Sequence, residues 1–116
     1  MAEWQGELHQ GGQVVLDSSG NGSLTFIPDN ARQRWEIREI HAWCDQQPGQ
    51  PLPMAEYKVV NESRGRGLVG HSAASSSYRG PILVGPADYL AIALSGNAPG
   101  ATVFLKIEGA KFTRRS

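Results

Sequence analysis

The chain has 116 residues, which is the length of one small domain and too short for a two-domain enzyme. Lys plus Arg (11) balances Asp plus Glu (11), so no net charge attracts nucleic-acid phosphates or an anionic membrane surface. The hydrophobic content of 40% is too high for disorder, and no apolar run reaches the ~18 residues of a membrane span. We therefore expect a soluble globular domain that binds neither nucleic acid nor membrane.

The first twelve residues are polar and lack the basic and apolar blocks of a secretory signal. They predict an N-terminal arm over residues 1–12, followed by a domain over 13–116, in a chain made in the cytoplasm. Trp4 and Leu8 are large apolar residues within this arm, and such residues outside a core often mark a docking segment. The alternative is that Trp4 folds back over one end of the domain.

Two short apolar segments near the N-terminus predict the first β-hairpin. Residues 13–17 and 24–27 lie on either side of Asn21-Gly22, a dipeptide that favours tight reversals. We expect these two strands to pair with each other.

Two alternating segments near the C-terminus predict a second hairpin. They cover residues 89–95 and 101–108, and Pro99-Gly100 between them fits a type II turn. The residues that we expect to face the core are Leu90, Ile92, Leu94, Val103, Leu105 and Ile107.

The segment 34–44 changes its apolar phase once. Trp35 and Ile37 have one parity, whereas Ile40 and the alternate residues after it have the other. An extra residue near Arg38-Glu39 would bring both sets to one side of a strand, so the pattern predicts a β-bulge there. A helix is the alternative, because part of the segment also fits a spacing of three to four residues.

The middle of the chain predicts several further short strands. Residues 54–61 alternate in polarity and predict one strand, residues 67–72 predict a short strand, and residues 82–84 predict another before a turn sequence. Three prolines, Pro48, Pro51 and Pro53, predict an extended connection, and the serine-rich residues 73–79 predict a loop. With 14 glycines and 7 prolines as turn residues, the chain reads as a single all-β domain. We expect an antiparallel β-sandwich or jelly roll of about eight short strands.

No motif in the sequence predicts catalysis. Residues 65–70 spell G-x-G-x-x-G, but no helix pattern follows that would face a phosphate. His9, His41 and His71 are about thirty residues apart, so a three-histidine metal site is only the weaker alternative to three separate histidines. We therefore predict no catalytic residue, no cofactor and no metal, and a protein that is not an enzyme.

The remaining candidates are surface residues for a protein partner. Phe104 shares its strand face with polar residues, and Trp43 lies on the minority face of its own strand. Together with Trp4 and Leu8 of the arm, they are the predicted partner-binding residues.

Four stretches together carry a resemblance. They are VLDSSGNGSLTF at 15–26, QRWEI at 33–37, GPADYLAIALSG at 85–96 and PGATV at 99–103. In this order they resemble small β-sandwich virion proteins of tailed bacteriophages, which decorate or cement a capsid or form short head fibres. The resemblance implies a jelly-roll-like subunit, often trimeric, that is held on the major capsid protein lattice by its edges and an N-terminal arm. It carries over no individual binding residues.

Our functional hypothesis is a non-enzymatic capsid decoration (cement) subunit on the virion surface that stabilises the head. It would bind the major capsid protein and form a homo-oligomer, with a trimer favoured. If the arm carries the contact, deleting residues 1–12 should abolish attachment and leave a folded domain. The alternative is a phage tail or fibre component with a carbohydrate-binding module, in which Trp43, Tyr57, Tyr78 or Tyr89 would stack on sugar rings.

Overall fold

The computed structural model describes residues 3–47 and 49–114, and over these residues it contains strands and no helix. Eight strands form two antiparallel four-stranded sheets, which confirms the predicted all-β sandwich. The strands are β1 (Glu3–Val15), β2 (Gly22–Phe26), β3 (Gln33–Cys44), β4 (Met54–Val59), β5 (Glu62–Leu68), β6 (Ser76–Val84), β7 (Leu90–Ser95) and β8 (Thr102–Arg114). Within the described ranges, no helix is long and apolar enough to cross a membrane.

The two sheets enclose one hydrophobic core. The first sheet has the strand order β1-β8-β3-β6, and the second has the order β2-β7-β4-β5. Since side chains alternate between the two faces of a strand, β3, β4 and β7 contribute about every second residue to this core, whereas β1 and β5 each contain a single buried residue. All six residues predicted to face inward on β7 and β8 are at most 2% exposed, which confirms the alternation there.

The predicted bulge in β3 is confirmed, and the helical alternative is wrong. The register of β3 shifts between Ile37 and Glu39 against both of its neighbours, β6 and β8. Arg38 is the additional residue, and it is exposed. As a result, Trp35 and Ile37 before the bulge and Ile40 after it all enter the core, each at most 1% exposed.

Both predicted hairpins are wrong in their pairing. β1 pairs with β8, and β2 pairs with β7, so neither predicted pair lies within one sheet. The turn after β1 is formed by residues 17–20, with Gly20 at a φ of 80° and its N–H donating to the Asp17 carbonyl at 2.9 Å. The predicted type II turn is present, since Gly100 has a φ of 76° and the Ala101 N–H donates to the Ala98 carbonyl. Both turns carry the chain across to the opposite sheet.

Of the predicted N-terminal arm, residues 3–12 belong to β1. This strand starts at Glu3 and pairs with β8 without interruption, from Glu3 opposite Arg114 to Val15 opposite Thr102. Backbone pairing needs no apolar side chains, and the buried Leu8 anchors the strand to the core, which is why a polar segment is ordered here. Deleting residues 1–12 would empty the Leu8 site and expose the edge of β8, so we expect this truncation to destabilise the domain rather than leave it folded.

The middle strands differ from their predicted bounds. β4 ends at Val59, two residues earlier than predicted, and the strand predicted over residues 67–72 lies earlier in the chain and ends at Leu68. β5 begins at Glu62, and β6 begins at Ser76, within the segment predicted as a serine-rich loop. The two strands approach closely, because a Cβ added at Gly67 would lie 1.8 Å from the Ser77 carbonyl oxygen. Some predicted residues lie outside the described ones. They are Met1 and Ala2 of the predicted arm, Pro48 of the predicted extended connection, and residues 115–116 at the end of the predicted domain.

Candidate aromatic groove

Three side chains form a row across the outer face of the first sheet. β8 lies between β1 and β3, and the register places Phe104 opposite both Gln13 and Trp43. Directly opposed residues of antiparallel strands project from the same face. Val103 and Leu105 on either side of Phe104 are buried, so Phe104 and its row partners face away from the core.

Trp43 and Phe104 stack on each other. Their ring centroids are 5.7 Å apart, and the ring planes differ by 18°. Both side chains are half-buried, which leaves part of each ring accessible from the outer face. The pair is therefore a flat apolar platform in the offset geometry that aromatic rings prefer.

The platform borders an open groove of about 490 Å³, which we call the aromatic groove. Residues of β1 form one wall, and residues of β8 and β3 form the floor and the other wall. Gly11 lies opposite Lys106 and has open space where a side chain would be, since an added Cβ would meet only the Leu105 carbonyl oxygen at 3.6 Å. The lining residues are His9, Gln10, Gly11, Gly12, Gln13, Trp43, Phe104, Leu105 and Lys106.

The charges beside the groove are balanced. The Lys106 ammonium lies 3.2 Å from the Glu108 carboxylate. The hydrogen bond from Lys106 holds the pKa of Glu108 below its usual value, so this carboxylate is ionised at neutral pH. The polar end of the groove therefore presents a neutralised ion pair rather than a free charge.

A cluster of Glu39, His41 and Glu108 lies next to this ion pair. The His41 Nε2 is 3.1 Å from Glu39 and 3.4 Å from Glu108, and the potential ligand atoms all lie within 4.8 Å of one another. The other ring nitrogen of His41 is buried and has no hydrogen-bond partner among the described residues, whereas a metal-bound histidine normally donates from that nitrogen. Arg79 also pairs with Glu39 at 3.2 Å, so the cluster is best described as an ion-pair network.

The other two histidines have separate partners. The His9 Nε2 lies 3.2 Å from Glu7, and the His71 Nδ1 lies 3.2 Å from the Gln46 carbonyl oxygen. The G-x-G-x-x-G residues begin in strand β5 and end at Gly70, which bridges to Trp43, so they do not form a phosphate-binding turn before a helix.

The four predicted partner-binding residues lie in three places. The structure brings Trp43 and Phe104 together in the groove. Trp4 is 58% exposed, but it lies nine positions before Gln13 on β1, which is ~30 Å away along the strand. Leu8 is completely buried, so its side chain is not part of the outer surface.

Sequence reasoning did not identify the wall of the groove. His9 and Gln13 reach the platform because β1 pairs with β8, some ninety residues later in the chain. No short motif encodes such a distant pairing. The sequence did show one part of the groove, because an aromatic residue on the polar face of the last strand pointed to Phe104 as a surface candidate.

No protein-family model matches this chain, and no curated protein matches it significantly. The fold and the aromatic groove are therefore the basis for a functional proposal.

Proposed function

We propose that the protein is a non-enzymatic bacteriophage virion protein, a capsid decoration subunit that binds the major capsid protein through the aromatic groove. The observation that carries this proposal is the stacked Trp43–Phe104 pair on the outer face of a sheet. Trp and other aromatic residues dominate the energy of protein interfaces, because they bury large, rigid apolar area. A chain without net charge would rely on such contacts rather than on electrostatic attraction.

The strand order supports this assignment. The orders β1-β8-β3-β6 and β2-β7-β4-β5 are those expected when two Greek keys form a jelly roll. Viral capsid domains and lectins are two groups that use this architecture. The resemblance of residues 15–26, 33–37, 85–96 and 99–103 to phage decoration proteins favours the first group. Since one fold can host many functions, the choice between a capsid role and a lectin role has to be argued from the chemistry of the groove.

A carbohydrate-binding role in a phage tail or fibre is the second candidate. The groove combines a flat aromatic platform with the hydrogen-bonding side chains of His9 and Gln13, and this is the chemistry that holds a sugar ring. Trp43 is the best placed of the four aromatic residues predicted for this role. Tyr57 is completely buried and unavailable, and Tyr78 and Tyr89 are half-buried outside the groove.

Retention on phage particles tests the first proposal. Particles produced from the genome that encodes this chain would be purified with tagged wild type, Trp43→Ala, Phe104→Ala or Leu83→Ala, and the tag quantified per capsid protein. We expect the wild type on the particle and about thirtyfold weaker binding for Trp43→Ala, the effect of about 2 kcal/mol typical of an interface hot spot. Leu83→Ala is the matched control, because Leu83 is 58% exposed and lies outside the groove.

Three outcomes would contradict the proposal. They are absence of the wild type from particles, full retention of Trp43→Ala, and loss of binding in Trp4→Ala with Trp43→Ala unaffected. The last result would place the contact with the capsid protein at the other end of β1, near Trp4. A glycan array on which wild type binds and Trp43→Ala does not, together with absence from capsids, would establish the carbohydrate-binding role instead.

A further inference from the structure

The sandwich has four edge strands, namely β1 and β6 in the first sheet and β2 and β5 in the second. An edge strand presents unpaired N–H and C=O groups that can pair with another chain. Proteins usually prevent such pairing with short edge strands, with lysine or arginine side chains, with proline or with bulges. The four edges of this molecule differ sharply in these features.

Three of the edges carry protective features. β2 has only five residues. β5 carries Arg64 and Arg66, and β6 carries Arg79 and Pro81. Each of these edges is therefore too short, too charged or too irregular to accept a long second strand.

β1 lacks these features. It has 13 residues, ~43 Å of strand, and contains no lysine, arginine or proline. Its pairing with β8 is continuous, without a register shift. Its two carboxylates both lie next to basic side chains, since Glu3 pairs with Arg34 of β3 at 3.0 Å and Glu7 lies 3.2 Å from His9 of β1.

We propose that the β1 edges of two copies of this chain pair antiparallel about a two-fold axis and form one eight-stranded sheet. Antiparallel pairing of identical strands is self-complementary, as a two-fold interface requires. If the two-fold axis passes through Leu8, residues 3–13 of one copy pair with residues 3–13 of the other. Glu7 of each copy then lies opposite His9 of the other. These two side chains share the outer face and are 87% and 59% exposed, so acid and base would meet across the interface.

The proposal goes beyond the assignment to a capsid and does not depend on it. A two-fold axis closes at two copies, in contrast to the trimer that the phage resemblance implies. Because the groove lies on the outer face and residues 9–13 of β1 line it, the dimer would present two aromatic grooves on one continuous sheet. Such a pair of sites would bind a repetitive lattice more tightly than one site does.

Sedimentation of the full chain over a concentration series tests the proposal with charge variants. We expect a dimer in the wild type and about tenfold weaker dimerisation in Glu7→Lys, because both acid–base contacts become repulsive or are lost. The double variant Glu7→Lys/His9→Glu restores opposite charges across the axis and should recover most of the affinity. Glu62→Lys, at an exposed glutamate on the β5 edge, is the matched control and should leave dimerisation unchanged.

Amide hydrogen exchange of the wild type gives a readout that does not rely on a variant. We expect the exchange of β1 amides to slow as the protein concentration rises through the dimerisation range, with no such change in β2 or β5. A chain that stays monomeric throughout, or a dimer or trimer in which β1 exchange is independent of concentration, would overturn the proposal. Equal dimerisation of wild type and Glu7→Lys would overturn the register centred on Leu8.

Discussion

Tyr57 is a buried tyrosine whose hydroxyl group is satisfied within the protein. Its side chain is completely buried in the core, and its hydroxyl donates a hydrogen bond to the Ser77 hydroxyl. Its ring also contacts Tyr78, with the centroids 5.5 Å apart. Burial raises the pKa of Tyr57 to about 12, since the phenolate would be formed away from water.

This pKa predicts a loss of stability at alkaline pH. The unfolded chain ionises near pH 10, whereas the folded chain keeps Tyr57 neutral until about pH 12. The stabilising contribution is therefore complete below pH 10 and is lost as the pH rises towards 12, by about 2 to 3 kcal/mol in total. Urea unfolding of wild type and Tyr57→Phe from pH 8 to 11.5 should show this additional loss only in the wild type.

Tyr89→Phe is the control, because it removes a tyrosine hydroxyl that is not part of this buried pair. Parallel stability curves for wild type and Tyr57→Phe up to pH 11.5 would contradict the raised pKa of Tyr57.

Alternation along residues 54–61 correctly places Tyr57 on the face with Val59. The hydrogen-bond partner could not be predicted, because Ser77 lies in a segment whose composition is typical of a loop.

The bulge in β3 fits between two glycines on the neighbouring strands. A Cβ added at Gly109 of β8 would lie 2.1 Å from the Glu36 carbonyl oxygen, and one added at Gly80 of β6 would lie 2.2 Å from the Ile37 carbonyl oxygen. Both obstacles are backbone atoms, which cannot rotate away as a side chain can. The bulge therefore requires glycine on both sides.

We predict that Gly109→Ala lowers the free energy of unfolding by about 3 kcal/mol, because the methyl group must displace the bulged backbone. Gly6→Ala on β1 is the control, since its Cβ would meet only the flexible Lys111 side chain, at 3.4 Å. It should change stability by no more than about 0.5 kcal/mol. Denaturant unfolding measures both, and equal stability of the two variants would show that the bulge tolerates a side chain.

Turn chemistry in this chain predicted where the strands end and did not predict their pairing. The type II turn at residues 98–101 is present as expected, yet it joins β7 of one sheet to β8 of the other. Among the described strands, β4 and β5 are the one consecutive pair that are neighbours in a sheet, and Val60-Asn61 connect them. Val60 has a φ of 59°, which is unusual for a β-branched residue, so the residue type gave no turn signal there.

At the scale of the whole molecule, the site depends on pairings between distant parts of the chain. The alternating pattern was sufficient for β3 with its bulge and for β4 and β7, because these depend on neighbours in sequence, but it missed residues 3–12 of β1 and the first half of β6. The aromatic groove requires β1 to pair with β8 and β8 with β3, and nothing local specifies either pairing. Hence Trp43 and Phe104 could be selected individually from the sequence, whereas their stacking and the wall of β1 could not.

The central claim is that this groove is the surface by which the protein attaches to a phage head. An electron cryomicroscopy reconstruction of particles produced from the genome that encodes this chain tests it most directly. The proposal predicts density for a two-sheet sandwich on the outside of the capsid, with Trp43 and Phe104 buried against the major capsid protein. Capsids without this density, or a bound sandwich whose aromatic groove faces solvent, would contradict it.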